Sequence, residues 1–252
     1  MIYCQGIGKG AVDMFEEAGK ALTLSSLDHQ KILRAMNISR GMDPDGQDPE
    51  LYSQLEEQIL RCESEVLRCL DPRAVCRVLP VSEISPLLAG KDIRRLLDGC
   101  DEAVLMALTL GAALERRLMK EEVTDISNAF LMDVCASQAA EEAADLYERR
   151  LSEEVRLAGK YLTNRYSPGY GDLPLEVQKP LLEYLNAGRA IGLTLTATNL
   201  MVPRKSVTAI LGISDRPRPL VLGGCSHCPL LTKCSWRERG ERCYKEKKDQ
   251  SL

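Results

Sequence analysis

The tightest constraint on how this chain folds is the stretch from about Ile126 to Leu157, which keeps helical spacing throughout and carries Ala136, Ala139, Ala140, Ala143 and Ala144. Alanine is the best helix former and lets a neighbour approach closely, so this segment is expected to be the spine of the fold. Around it, Asp28 to Asn37 and Asp48 to Leu70 also recur near the helical period. Asp48-Pro49-Glu50 there supplies a cap, a first-turn proline and an early acid. Ala74 to Val81 reads as a valine-rich strand, and Glu102 to Leu110 as an almost unbroken apolar run suited to a buried strand closed by Gly111. Leu87 to Leu97, Ala112 to Lys120 and Leu175 to Leu185 read as helices, and Val207 to Ile213 as a β-branched and aliphatic strand. Strands and helices are interspersed without regular alternation and without a Gly-x-Gly-x-x-Gly turn. The expected class is α+β, an antiparallel or mixed sheet with packed helices.

At 252 residues and 44% apolar content the chain can bury a substantial core. One main domain over residues 27–222 is expected, preceded by an extension, 1–26, with no clear anchor, and followed by a Cys-rich tail, 223–252. A net charge of −4 and a pI near 5.5 argue against nucleic acid and anionic membranes as partners. No run approaches the ~20 apolar residues that span a bilayer. The N-terminus, with Cys4, Asp13, Glu16 and Glu17, lacks a signal pattern, so a cytoplasmic location is expected. Reduced thiols then follow for the ten cysteines, with Cys62, Cys69, Cys76, Cys100 and Cys135 acting as small hydrophobes on apolar faces. Only two histidines, His29 and His227, and no Gly-x-Ser-x-Gly elbow argue against nucleophilic hydrolysis.

The chemistry concentrates in Arg165-Tyr166-Ser167-Pro168-Gly169-Tyr170-Gly171-Asp172-Leu173-Pro174. Pro168 and Pro174 deny it a helical role, while Gly169 and Gly171 allow positive φ and close approach of a ligand to the main chain. Arg165 adds a planar fork suited to a carboxylate. Upstream, Glu141 and Glu142 form an acidic pair on a small-residue surface.

Arg165, Pro168, Gly169 and Tyr170 match the Arg-Pro-Ala-Pro-Gly-Tyr loop of the activation domain of cobalamin-dependent methionine synthase, which the chain resembles over roughly residues 72–222 and most strongly over 165–207. The ordered Gly192-Leu193-Thr194-Leu195-Thr196, Met201, Pro203 and Ser206-Val207 repeat elements of the same family. The resemblance implies a stand-alone reactivation module that binds S-adenosylmethionine through Glu141, Arg165, Ser167, Gly169 and Tyr170. It implies no catalytic acid or base, since methyl transfer from a sulfonium to cobalt moves no proton. The implied partners are a methionine synthase or other corrinoid protein carrying cobalamin, and a flavodoxin-type reductase. Two departures stand out: Pro219 falls where the family has a site tyrosine, and no counterpart of its early aspartate is found in residues 1–70.

Cys225, Cys228, Cys234 and Cys243 lie within nineteen residues, beside Gly223 and Gly224, and suit zinc or an iron–sulfur cluster. His227, inside the first pair, is an alternative ligand, and nothing about this group follows from the resemblance. Service to a different corrinoid methyltransferase, a corrinoid-protein chaperone that binds no methyl donor, and a metal-stabilised interaction module remain open as alternatives.

Overall fold

The computed structural model describes residues 2–6, 22–36, 49–218, 232–234 and 237. Its centre is a five-stranded sheet formed by β1 (Ile2–Gly6), β2 (Arg73–Pro80), β3 (Glu102–Thr109), β7 (Ser206–Ser214) and β4 (Tyr161–Leu162), in that spatial order. β1 runs parallel to β2 and every other pairing is antiparallel, so the sheet is mixed. A separate two-stranded hairpin joins β5 (Thr194–Leu195) to β6 (Met201–Val202).

Period-two alternation on the central strands explains why β3 reads as an unbroken apolar run. Val104, Met106 and Leu108 enter one core, while Ala103, Leu105 and Ala107 enter the other. The first core lies under α1 (His29–Ala35), α2 (Pro49–Cys69), α4 (Ala112–Thr124) and α5 (Ile126–Leu157). The second lies under a 3-10 turn (Val81–Leu87), α3 (Lys91–Leu97), α6 (Gln178–Leu185) and α7 (Ala187–Ile191). The architecture is therefore α+β with helices on both faces of the sheet.

The spine helix occupies the span its periodicity implies. Asp125 caps it, accepting from the amides of Ser127 and Asn128 at 3.1 Å, and Ala136, Ala139, Ala140, Ala143 and Ala144 are all buried. Asp28 caps α1 in the same way, accepting from Gln30 and Lys31. Elsewhere the sequence expectation needs correcting. The helix expected over Leu87 to Leu97 forms only from Lys91, because Leu87 ends the 3-10 turn and Gly90 is extended (φ −124°, ψ 164°) at the start of α3.

Residues 1–26 show no anchor in sequence, yet the backbone of Ile2–Gly6 pairs with β2, and Leu22 is buried in the first core. Cys76 is disulfide-bonded, not a free thiol as expected; β1 brings Cys4 to the register position beside it. Cys62 and Cys135 are free, and burial pushes their thiols up to about 11 and about 12, consistent with inert packing roles. Among the described residues, no helix is long and apolar enough to cross a membrane.

The alanine seam makes a direct prediction. Ala143 is fully buried, and Ala143→Leu would force three extra carbons into a filled space. Denaturant unfolding should show a loss of about 1–3 kcal/mol, and an unchanged midpoint would mean that α5 is not tightly seated on the sheet.

Candidate functional site

The segment leaving β4 runs along the open edge of the sheet, and its alternating side chains point to opposite faces. Tyr166 is tied to β7 by a pair of backbone bonds with Ile210, at 3.0 and 2.9 Å, and its ring enters the second core. Arg165, one residue earlier, turns to the opposite side, toward α5. There its Nη1 donates to Asp145 (2.6 Å) and Glu148 (2.7 Å), and its Nη2 donates to Glu141 (2.7 Å).

These three acids stand at i, i+4 and i+7 of α5, which puts them on one stripe of the helix. The stripe grades from solvent to interior. Glu141 is 55% exposed, Asp145 38% and Glu148 only 9%, while the Arg165 side chain is 18% exposed. Burial opposes the guanidinium's charge. The Asp145 hydrogen bond and the charges of Glu148, Asp145 and Glu141 outweigh it and hold Arg165 above its usual range.

The rest of the loop is a compact turn. Gly169 and Gly171 adopt the positive φ that the sequence allows, at 88° and 53°. The Gly169 amide donates to the Leu173 carbonyl (2.9 Å), and the Tyr170 amide to that of Ser167 (3.2 Å), so both donors are used within the turn. Ser167 is half-buried, and Tyr170 lies 65% exposed.

The close approach made possible by Gly171 is taken up inside the protein, since a Cβ there would collide with the Tyr166 hydroxyl and stand 2.6 Å from Asp92 Oδ2. The Tyr166 hydroxyl donates to the Tyr170 carbonyl (3.0 Å) and reaches Asp92 at 3.3 Å. Burial, followed by the Asp92 charge, pushes its pKa up to about 12. Asp172 completes the docking by accepting from the amides of Lys91 (2.7 Å) and Asp92 (3.1 Å). It thereby caps α3, whose own N-cap, Gly90, has no side chain to do so.

Beside the ion cluster lies a cleft of about 490 Å³ that shares Asp145 with it. The segment Thr23 to Asp28, Lys31, Glu142 and Arg149 form its other walls. Glu142 holds that wall by accepting from the Asp28 amide (2.7 Å), and Glu63 does so by accepting from the Leu27 amide (2.6 Å). His29 Nε2 sits 2.5 Å from Glu63. The two neighbouring acids noted in the sequence thus have different contacts. Glu141 meets Arg165, and Glu142 meets the N-terminal segment.

Of the candidate residues, the fold brings Glu141 and Arg165 together and sets Ser167, Gly169 and Tyr170 on the adjoining turn. Asp145 and Glu148 were missed, although their i+4 and i+7 spacing from Glu141 was a readable signal. Asp172 was missed for lack of any local signal, its helix partner being some eighty residues away. Cys225, Cys228, Cys243, His227 and Pro219 lie outside the described residues. Cys234 is a half-buried free cysteine, and among the described residues no group of three or more side chains is arranged to hold a metal ion.

A family model described as the activation domain of vitamin B12 dependent methionine synthase matches residues 101–226, half of the chain. The chain belongs to this family. The match spans β3, the spine helix, the Arg165 turn and β7. A solved structure, the MetH reactivation domain bound to AdoHcy, superposes with a TM-score of 0.54 at 15% identity, covering 86% of this chain and 82% of that one. At that identity the likeness establishes the shared fold of the activation domain. None of the curated proteins matches the chain.

Removing the cation tests the cluster. Arg165→Ala would leave three carboxylates facing one another, one of them buried. It should destabilise the protein on the order of 3 kcal/mol, the scale for deleting one member of a buried ion pair. Arg165→Lys should recover only part of this, because a single ammonium lacks the planar fork that serves several acceptors. Equal stability of all three proteins in denaturant unfolding would show that the cluster contributes nothing to folding.

Proposed function

We propose that this activation-domain family member binds S-adenosylmethionine at the Arg165 turn and takes part in reductive remethylation of the cobalamin carried by a methionine synthase or related corrinoid protein. The observation that carries this reading is the meeting of Glu141 and Arg165, twenty-four residues apart in sequence, at 2.7 Å on the rim of the sheet. The set pairs a carboxylate-binding fork with an exposed anion, and the methyl donor's amino-acid end offers the complementary carboxylate and ammonium. The AdoHcy in the similar solved structure carries the same amino-acid end.

The protein's part in this chemistry is positioning. Arg165 would bind the donor's carboxylate, Glu141 would face its positive charge, and the exposed Tyr170 ring, with Ser167 and Gly169, would flank the adenosyl end. S-adenosylmethionine supplies the methyl group, and the partner's reduced cobalamin receives it. Transfer from a sulfonium needs no proton, so the rate gain would come from proximity and orientation. An electron from a flavodoxin-type reductase completes the proposed cycle.

A second reading, a corrinoid-protein chaperone that binds no methyl donor, is favoured by the engagement of Arg165 with three carboxylates. The two readings separate in one experiment. Mixing the protein with a cob(II)alamin-loaded partner, a reductant and S-adenosylmethionine should yield the methylcobalamin spectrum. Partner binding without that spectrum would favour the chaperone.

Cys225, Cys228, Cys234 and Cys243 are proposed as a zinc or iron–sulfur site, which in the second case would serve as an electron relay. Elemental and sulfide analysis of anaerobically purified protein should then find either zinc or iron with sulfide. Finding none of these would remove the metal from the account.

A further inference from the structure

We infer that Glu141 is an exchangeable latch on Arg165, occupying the place that the carboxylate of an α-amino-acid ligand takes when it binds; this rests on the donor-binding reading above. The two edges of the guanidinium are held unequally. Nη1 is fixed by two acceptors, one of them the buried Glu148. Among the described residues Nη2 has a single acceptor, Glu141, whose side chain is more than half exposed.

Breaking the first set strands a buried charge, whereas breaking the second returns a carboxylate to water at little cost. An incoming carboxylate therefore exchanges at Nη2 while Asp145 and Glu148 keep the guanidinium in place. The released Glu141, still beside the ligand, is then free to accept from the ligand's ammonium. The internal pair is thus replaced by two intermolecular pairs of the same kind, which requires a ligand carrying both charges. A carboxylate without an ammonium displaces Glu141 and offers it nothing in return. An ammonium without a carboxylate competes with Arg165 for Glu141. Selectivity for a zwitterion follows from the exchange itself.

The cleft beyond Asp145 gives the same stripe a second charge environment. Lys31 Nζ lies 3.9 Å from Asp145 Oδ2, so Asp145 is held by cations on two sides and is a poor candidate for the leaving acid. That singles out Glu141 among the three.

The test uses calorimetric titration of the intact protein and its Glu141→Gln variant with three probes. These are S-adenosylmethionine, its decarboxylated analogue, which keeps the ammonium, and a deaminated adenosylthio-butanoate, which keeps the carboxylate. Glu141→Gln replaces the anionic competitor at Nη2, which is also the ammonium's anionic partner, with a neutral and weaker acceptor. It should therefore bind the carboxylate-only probe roughly tenfold more tightly than wild type, and the ammonium-only probe roughly tenfold more weakly. A merely structural role for Glu141 would move both probes the same way or not at all, and either result overturns the latch while leaving donor binding intact. Failure of wild type to bind any of the three overturns the latch and the donor-binding reading together. Glu141 is surface-exposed, so a thermal midpoint close to wild type is expected for the variant and confirms that it is folded.

Discussion

The grip of three α5 carboxylates on Arg165 is the contact on which the rest of the site's geometry depends. The strand-to-helix connection between β4 and α6 crosses the open edge of the sheet and touches both helical layers. Arg165 pins it to α5 on one face, the Tyr166–Ile210 bridge pins it to β7, and Asp172 pins it to the start of α3 on the other face. A proline- and glycine-rich segment fixed at three points within eight residues keeps a single shape without regular secondary structure. The cost is desolvation of a guanidinium, offset by its hydrogen bonds to three carboxylates. Arginine suits the position because a planar cation can serve several acceptors at once, where an ammonium on a flexible stem would have to be shared among them.

This arrangement has a chemical consequence for what the site accepts. Three acids surround one arginine, and Lys31 supplies further positive charge at Asp145. The exposed end of the stripe is therefore anionic, with Glu141 outermost. Such a surface favours the positively charged part of a ligand, and under the proposed exchange an anion would enter only by displacing Glu141. The proposed methyl donor is a sulfonium carrying an amino-acid zwitterion, and its charges would be accommodated there without burying an unpaired group.

Much of this could be read from residues alone, where local pattern and tertiary environment agree. The spine helix is legible in its alanines, and β3 in an apolar run whose length suits a strand buried on both faces. The Arg165 turn was visible in its prolines and glycines. What escaped notice depended on contacts between distant parts of the chain. Asp172 looks like an ordinary turn acid until α3, with only Gly90 at its start, is placed beside it. Asp145 and Glu148 look like solvated helix charges until the β4 return brings a cation to them. The β5–β6 hairpin, with two residues per strand, is too short to show any period, and β1 lies in a stretch with no patterning of its own. The inward-facing Gly171 shows the limit of reading glycine as an invitation to a ligand. Its missing side chain makes room for Tyr166 and Asp92, groups of the protein itself.

The most direct measurement is a crystal structure of the protein with S-adenosylmethionine bound. The account predicts the donor's carboxylate on Arg165 Nη2, its ammonium on Glu141, and Nη1 still held by Asp145 and Glu148. A donor bound away from the turn, or bound beside it with the Glu141–Arg165 pair intact, would contradict it.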